Sequence, residues 1–174
     1  MDRYRSLVVS GKRYVSLLVD EYTRKRFIRF LNSKAEAGDS IKRMVREMIY
    51  DYPNNRIKVI RTDGGKEYFG SHVKEYCGRM LIRHEVTPPY TPEHNGVAER
   101  HNGLIVDKAR SLLKGANLPL NFWAEAMATA VYILNRCPTR SRGGEVPEEL
   151  WTGDKVNVEK LKTFGCICYA LVPK

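Results

Sequence analysis

No run of about 18 apolar residues occurs in this chain, and no basic stretch leading into an apolar one opens it, so neither membrane insertion nor secretion is supported. The four cysteines, Cys77, Cys137, Cys166 and Cys168, include no Cys-x-x-Cys pair and no histidine at zinc-ligand spacing. That pattern argues against a zinc site and for buried free thiols in a reducing compartment, nuclear or otherwise intracellular. Cys166 and Cys168 stand two apart in an apolar run, where strand alternation would put both on one face; packing there competes with metal ligation. Internal repeats and low-complexity tracts are absent. Tryptophan is scarce, and Trp123 and Trp151 both fall in helical patterns that favour core positions over base stacking. Acidic residues are outnumbered, 20 against 30 Lys and Arg, giving a net charge of +10 and a pI near 9.5. A polyanionic partner fits that balance, nucleic acid being the commonest, although scattered surface charge would produce the same total.

What is present suffices for a core: 174 residues, 43% hydrophobic, suit one globular domain with a possible appendage. Residues 14–19 and 26–31 read as strands joined by the short turn 20–24, hence an antiparallel hairpin. Between residues 35 and 50 the apolar positions Ile41, Met44, Val45, Met48 and Ile49 make one helical face. Pro53-Asn54-Asn55 ends it, and residues 57–60 form a strand leading to Asp63. A short helix (71–80), a strand (81–86) and a loop with three prolines (87–96) follow, then helices over 97–115 and 121–136. After Pro138 come a polar, Gly-rich linker (140–144), a helical turn (148–151) and a final strand (164–172). The order implies an α/β architecture with a mixed sheet. A hairpin followed by a crossover helix to a strand ending in Asp fits an RNase H-like fold, though pattern alone admits other α/β folds.

Two carboxylates stand out. Asp63 follows an apolar strand in Arg61-Thr62-Asp63-Gly64-Gly65, and Glu99 sits where a Pro/Gly-rich loop runs into a helix, with 35 residues between them. Carboxylates brought close repel one another, so a site that gathers them needs a counter-cation, and hard oxygen donors favour Mg²⁺ or Mn²⁺. Taken singly, Asp63 is also an ordinary Asp-Gly turn residue and Glu99 a solvated acid in a first helical turn.

Context separates these readings. Pro89-Tyr90-Thr91-Pro92-Glu93-His94-Asn95-Gly96-Val97-Ala98-Glu99-Arg100-His101-Asn102 resembles the signature of retroviral-type integrases, specifically those of copia-type LTR retrotransposons. Further resemblance lies in Lys108-Ala109-Arg110-Ser111-Leu112-Leu113, Leu118-Pro119-Leu120-Asn121-Phe122-Trp123-Ala124-Glu125-Ala126, Tyr132-Ile133-Leu134-Asn135-Arg136 and Pro147-Glu148-Glu149-Leu150-Trp151-Thr152-Gly153. Phe164-Gly165-Cys166-Ile167-Cys168-Tyr169, Arg13-Tyr14-Val15, Val19-Asp20-Glu21-Tyr22-Thr23-Arg24 and Arg61-Thr62-Asp63-Gly64-Gly65-Lys66-Glu67-Tyr68 complete it.

The resemblance implies an RNase H-like fold: a mixed five-stranded sheet flanked by helices, its first strand truncated. Residues 1–138 would form the catalytic core, and 139–174 a linker and downstream segment of a longer polyprotein. It implies a triad Asp2, Asp63 and Glu99 holding two Mg²⁺ or Mn²⁺ ions, with Asp20 a lesser rival to Asp2 for the first position. Where the family has Gly-Pro after the first Asp, this chain has Arg3-Tyr4-Arg5-Ser6. The family's zinc-binding module and reverse transcriptase segments are not found.

The activity implied is 3′-end processing and strand transfer of retrotransposon DNA, with element ends and target DNA as partners and a homo-oligomer as the working form. The alternative is an inactive integrase-derived fragment that only binds nucleic acid or a partner chain. An RNase H-like ribonuclease fits the fold but not the Asn95–Asn102 signature. For phosphate contacts the candidates are Lys66, Tyr90, Arg100, His101 and Lys108, with Arg110 and Lys114 on the same helix. A solvated helix face explains Lys108 and Lys114 equally well, loop packing explains Tyr90, and His94 reads as a loop-structuring residue.

Overall fold

Alternation in the first hairpin divides its side chains between two cores. In the computed structural model, which describes residues 11–62, 71–87, 92–159 and 161–169, β1 (Tyr14–Val19) and β2 (Arg26–Leu31) pair antiparallel from Tyr14↔Leu31 to Val19↔Arg26. Leu18 and Phe27 face one cluster, and Val15, Leu17, Ile28 and Phe30 face the other. Helices therefore cover both faces of the hairpin.

The first layer is α1 (Ala37–Asp51), whose Ile41, Met44, Val45 and Met48 recur at helical spacing and are buried. Ser33 caps the 3₁₀ turn ahead of α1, its Oγ accepting from Ala35 N at 3.1 Å. Against α1 lie Ile60 of β3 (Val59–Thr62), Val73, Tyr76 and Cys77 of α2 (Ser71–Arg79), and Ile82. Each such aliphatic side chain contributes about 1.5–3 kcal/mol when fully buried.

The second layer pairs α3 (Pro92–Gly115) with α4 (Trp123–Arg136). Ile105, Ala109 and Leu113 pack on Ala126, Met127, Ala130 and Val131, the alanines allowing close approach. Trp123, half-buried, packs edge-on to Phe30 against this cluster.

β3 pairs parallel with β4 (Arg83–Val86), the crossover being α2. The described strands thus form two two-stranded sheets, β1-β2 and β3-β4. The expected first strand falls in residues 1–10, outside the described residues.

Four local expectations change. β3 spans Val59–Thr62 rather than 57–60, because ladder pairing starts where β4 supplies a partner. α3 starts at Pro92, five residues before the expected start: proline is tolerated in a first turn, and an internal Gly96 costs only about 1 kcal/mol. The strand expected over 164–172 is not seen in its described part. Phe164 and Gly165 form a turn, with Phe164 packed on the second cluster and Gly165 at φ +80 tight against Ala116. Residues 166–169 pair with no strand among the described residues, and Ile167 and Tyr169 are exposed. Cys166 and Cys168 are exposed too, as is Cys137 beyond α4; Cys77 alone is buried, and all four are free thiols.

α5 (Pro147–Thr152) docks on the core through a buried charge. Lys25 Nζ meets Glu148 Oε1 at 2.9 Å inside a box made by Phe27, Tyr52 and Trp151. Asn55 Nδ2 donates to Trp151 O at 2.7 Å.

Candidate active site and nucleic-acid interface

β3 delivers the chain to the carboxylate region. Its last residue, Thr62, is buried; Thr87 N donates to its carbonyl at 2.9 Å, and its Oγ1 lies 3.0 Å from His84 Nε2. Burial, with Lys74 nearby, holds the His84 pKa below its ordinary value. The next residue is Asp63; it, Lys66, Tyr90 and Asp2 lie outside the described residues.

A groove of about 350 Å³ opens beside Thr62. Val19, Asp20 and Glu21 border it from the end of β1, Arg61 and Thr62 from β3, and Val97 and Ala98 from α3. The strand end that continues into Asp63 and the helical turn that continues into Glu99 therefore meet at one groove. Glu99 itself is exposed on α3. Glu85 dampens the charge at one margin, pairing with Arg61 at 3.1 Å and Arg83 at 2.8 Å.

Asp20, the rival for the first carboxylate, serves the hairpin turn. Its Oδ2 accepts from Thr23 N and Thr23 Oγ1, both at 2.7 Å. Among the described residues, no group of three or more His, Cys, Asp or Glu converges as a metal cluster.

The basic candidates divide. Arg100 is exposed beside Glu99. Lys108 is exposed too, but it comes nine residues after Glu99, about 13.5 Å along the helix and half a turn round. His101 points inward: its Nδ1 accepts from Arg26 Nε at 2.9 Å, which places the neutral ring's proton on Nε2. Burial, with Arg26, Arg24 and Arg100 near, pushes its pKa down to about 4. A neutral ring cannot serve as a cation for phosphate, although Nε2–H can still donate a hydrogen bond.

Two residues of this region escaped the sequence reading. Asn135, on the buried face of α4, grips the backbone of Arg26: Oδ1 accepts from Arg26 N at 2.9 Å, and Nδ2 donates to Arg26 O at 2.8 Å. A polar residue at an apolar helical position was the available signal. Arg26 had none, because a strand-end arginine is ordinarily exposed.

Known proteins place this geometry. The family profile described as "Integrase core domain" matches residues 4–92, just over half of the chain. The Retrovirus-related Pol polyprotein from transposon TNT 1-94 of Nicotiana tabacum is 40% identical over 166 residues, covering 95% of this chain and 12% of that protein. The corresponding polyprotein from transposon RE2 of Arabidopsis thaliana is 34% identical over 163 residues, covering 94% and 11%. The chain thus spans about a tenth of the length of these curated relatives. Among solved structures, a simian T-cell lymphotropic virus intasome in complex with a PP2A regulatory subunit aligns with TM-score 0.65 at 19% identity, over 92% of this chain and 54% of that one. The catalytic core domain of BIV integrase aligns with TM-score 0.58 at 18% identity, over 80% and 85%. These likenesses show the fold, the RNase H-like fold of retroviral integrase cores. Together with the match over residues 4–92, they lead to one conclusion: this chain belongs to the integrase core domain family.

Proposed function

We propose that the chain is a metal-dependent polynucleotidyl transferase of DNA integration, carrying out 3′-end processing and strand transfer. One observation carries this reading: the end of β3 next to Asp63 and the turn of α3 next to Glu99 open on a single groove. Asp2, Asp63 and Glu99 would hold Mg²⁺ or Mn²⁺, to which carboxylate oxygens are suited. When bound, two such ions supply activation of the attacking hydroxyl and stabilisation of the leaving oxygen in an in-line displacement. The protein's own part is to position the strand. Lys66, Tyr90, Arg100 and Lys108 contact its backbone, and His101 donates from Nε2 rather than contributing charge. DNA element ends and target DNA are the partners, and several copies of the chain act together. No described helix is long and apolar enough to cross a membrane.

The test is incubation of purified chain with Mg²⁺ or Mn²⁺ and DNA bearing element ends. Nicking and strand transfer are expected, abolished by Asp63→Asn and by Glu99→Gln while DNA binding persists. Wild-type chain that binds DNA but never cleaves it would sink the catalytic reading. One sequence feature favours a second reading, a chain that binds nucleic acid without chemistry: Arg3-Tyr4-Arg5-Ser6 replaces the family's Gly-Pro after Asp2. Calorimetry separates the two. Mg²⁺ binding that survives Asp2→Asn but is lost in Asp63→Asn marks a two-carboxylate site and supports the second reading.

A further inference from the structure

The turn between β1 and β2 holds an exposed aromatic ring in a fixed place. Asp20 Oδ2 accepts from Thr23 N and Thr23 Oγ1, both at 2.7 Å. Arg24 N donates to Asp20 O at 2.9 Å, and Asp20 N donates to Lys25 O at 2.8 Å. Tyr22 stands inside this closed turn and is 65% exposed. Its ring is backed by Arg142, whose guanidinium carbon lies 4.3 Å from the ring centroid. Arg142 is itself held: Nη2 meets Glu145 Oε2 at 3.3 Å, and Thr139 pairs with Glu145 across the 3₁₀ turn Arg140–Arg142. One face of the ring therefore carries a cation, and at that exposure the opposite face is open to solvent. A lone exposed tyrosine needs no explanation, but this one is locked by its own turn and buttressed from a segment far along the chain.

Position adds to this. Asp20 and Glu21 border the groove in which the end of β3 and the turn of α3 meet, and Tyr22 comes next, its Cα about 3.8 Å from that of Glu21. Glu21 and Glu145 are exposed acids, so the surface is no simple phosphate cluster. What it offers is a flat π-face with a guanidinium behind it. Every nucleobase has a π-face, and a tyrosine held in place loses little entropy on contact. The guanidinium on the far side offsets the negative π-cloud of the ring, which would otherwise repel the π-face of a base. We propose that Tyr22 is a stacking platform for one unpaired nucleobase of a DNA strand entering the groove, with Arg142 as the positioning residue behind the ring. The platform deepens the nucleic-acid reading above and rests on it. It draws a segment beyond residue 138 into the DNA-contacting surface.

The experiment measures affinity of the full chain for a blunt DNA duplex and for the same duplex carrying a single-stranded overhang. The parent should prefer the overhang. Tyr22→Leu and Tyr22→Ser should each lose about 5- to 150-fold in overhang affinity, the worth of one base–aromatic stack. Affinity for the blunt duplex and the slope of log K against log salt should stay unchanged, since no cation is removed. Tyr22→Phe, which keeps the ring, should behave like the parent, as should Tyr169→Leu, which removes an exposed tyrosine elsewhere. Arg142→Gln should lose part of the same overhang affinity, and Arg142→Lys, which keeps a cation over the ring, should restore it. Equal losses on both duplexes would make Tyr22 a support of the fold and overturn the platform. So would a parent that binds the two DNAs alike, or Tyr22 variants that keep the overhang affinity; each of these leaves the wider reading intact. A parent that binds neither DNA overturns both.

Discussion

Asp20 and His101 each look like site residues by type and position, and their neighbours limit what each side chain can offer. Thr23 donates two hydrogen bonds to Asp20, tying its carboxylate to the hairpin turn. Arg26 makes His101 Nδ1 an acceptor, and burial, with Arg26 beside the ring, pushes its pKa down to about 4. Their residue types were legible in the sequence, but the directions of their side chains depend on residues 3 and 75 positions away. His84 permits a test at this scale. Its pKa in the folded chain lies below the ordinary 6.5, mainly through burial. As pH falls the unfolded chain takes up the proton first. The stabilisation is therefore complete above about pH 6.5 and is lost progressively below it. Melting curves from pH 7.5 downward should show a decline that is shallower in His84→Gln; parallel declines would refute the assignment.

Among the elements, helices announced themselves through repeating apolar positions, and strand limits did not. α1 and α4 run close to where spacing put them, because a helix satisfies its own backbone hydrogen bonds. β3 moved by two residues and the C-terminal strand is absent over 164–169, because a strand exists only where a partner pairs with it. β2 shows the same dependence on a partner, since Asn135 of α4 completes the hydrogen bonding of Arg26. Asn135→Ala leaves two buried backbone groups unsatisfied and should cost about 2–4 kcal/mol in urea unfolding. Gly103, inside α3, has open space where a Cβ would stand. Gly103→Ala should therefore stabilise by about 0.5–1 kcal/mol in the same assay; a loss of stability would mean that α3 is not helical there.

At the scale of the whole molecule the point at issue is where the core ends. The sequence reading makes 1–138 the catalytic core and 139–174 a linker and downstream segment; within the latter, α5 sends Glu148 and Trp151 into contact with Lys25, Phe27 and Tyr52. We propose that the folded unit runs through Thr152. Glu148→Gln leaves Lys25 buried beside Arg136 with a neutral partner, and breaking a buried pair of this kind costs about 3–5 kcal/mol. A lowered urea midpoint for the entire chain is expected, whereas an unchanged midpoint would restore the boundary at 138.

The sequence by itself determined the α/β order of elements, the family through an ordered run of motifs, the basic character, and the spacing of Asp63 and Glu99. These are properties of neighbours along the chain, where periodicity, turn chemistry and residue type suffice. Only the tertiary structure decided that the end of β3 and the turn preceding Glu99 share a groove, that His101 turns inward, and that Lys25 lies buried against α5. Each of these joins residues far apart in the chain, and such pairings follow from burying the two cores on either side of one hairpin.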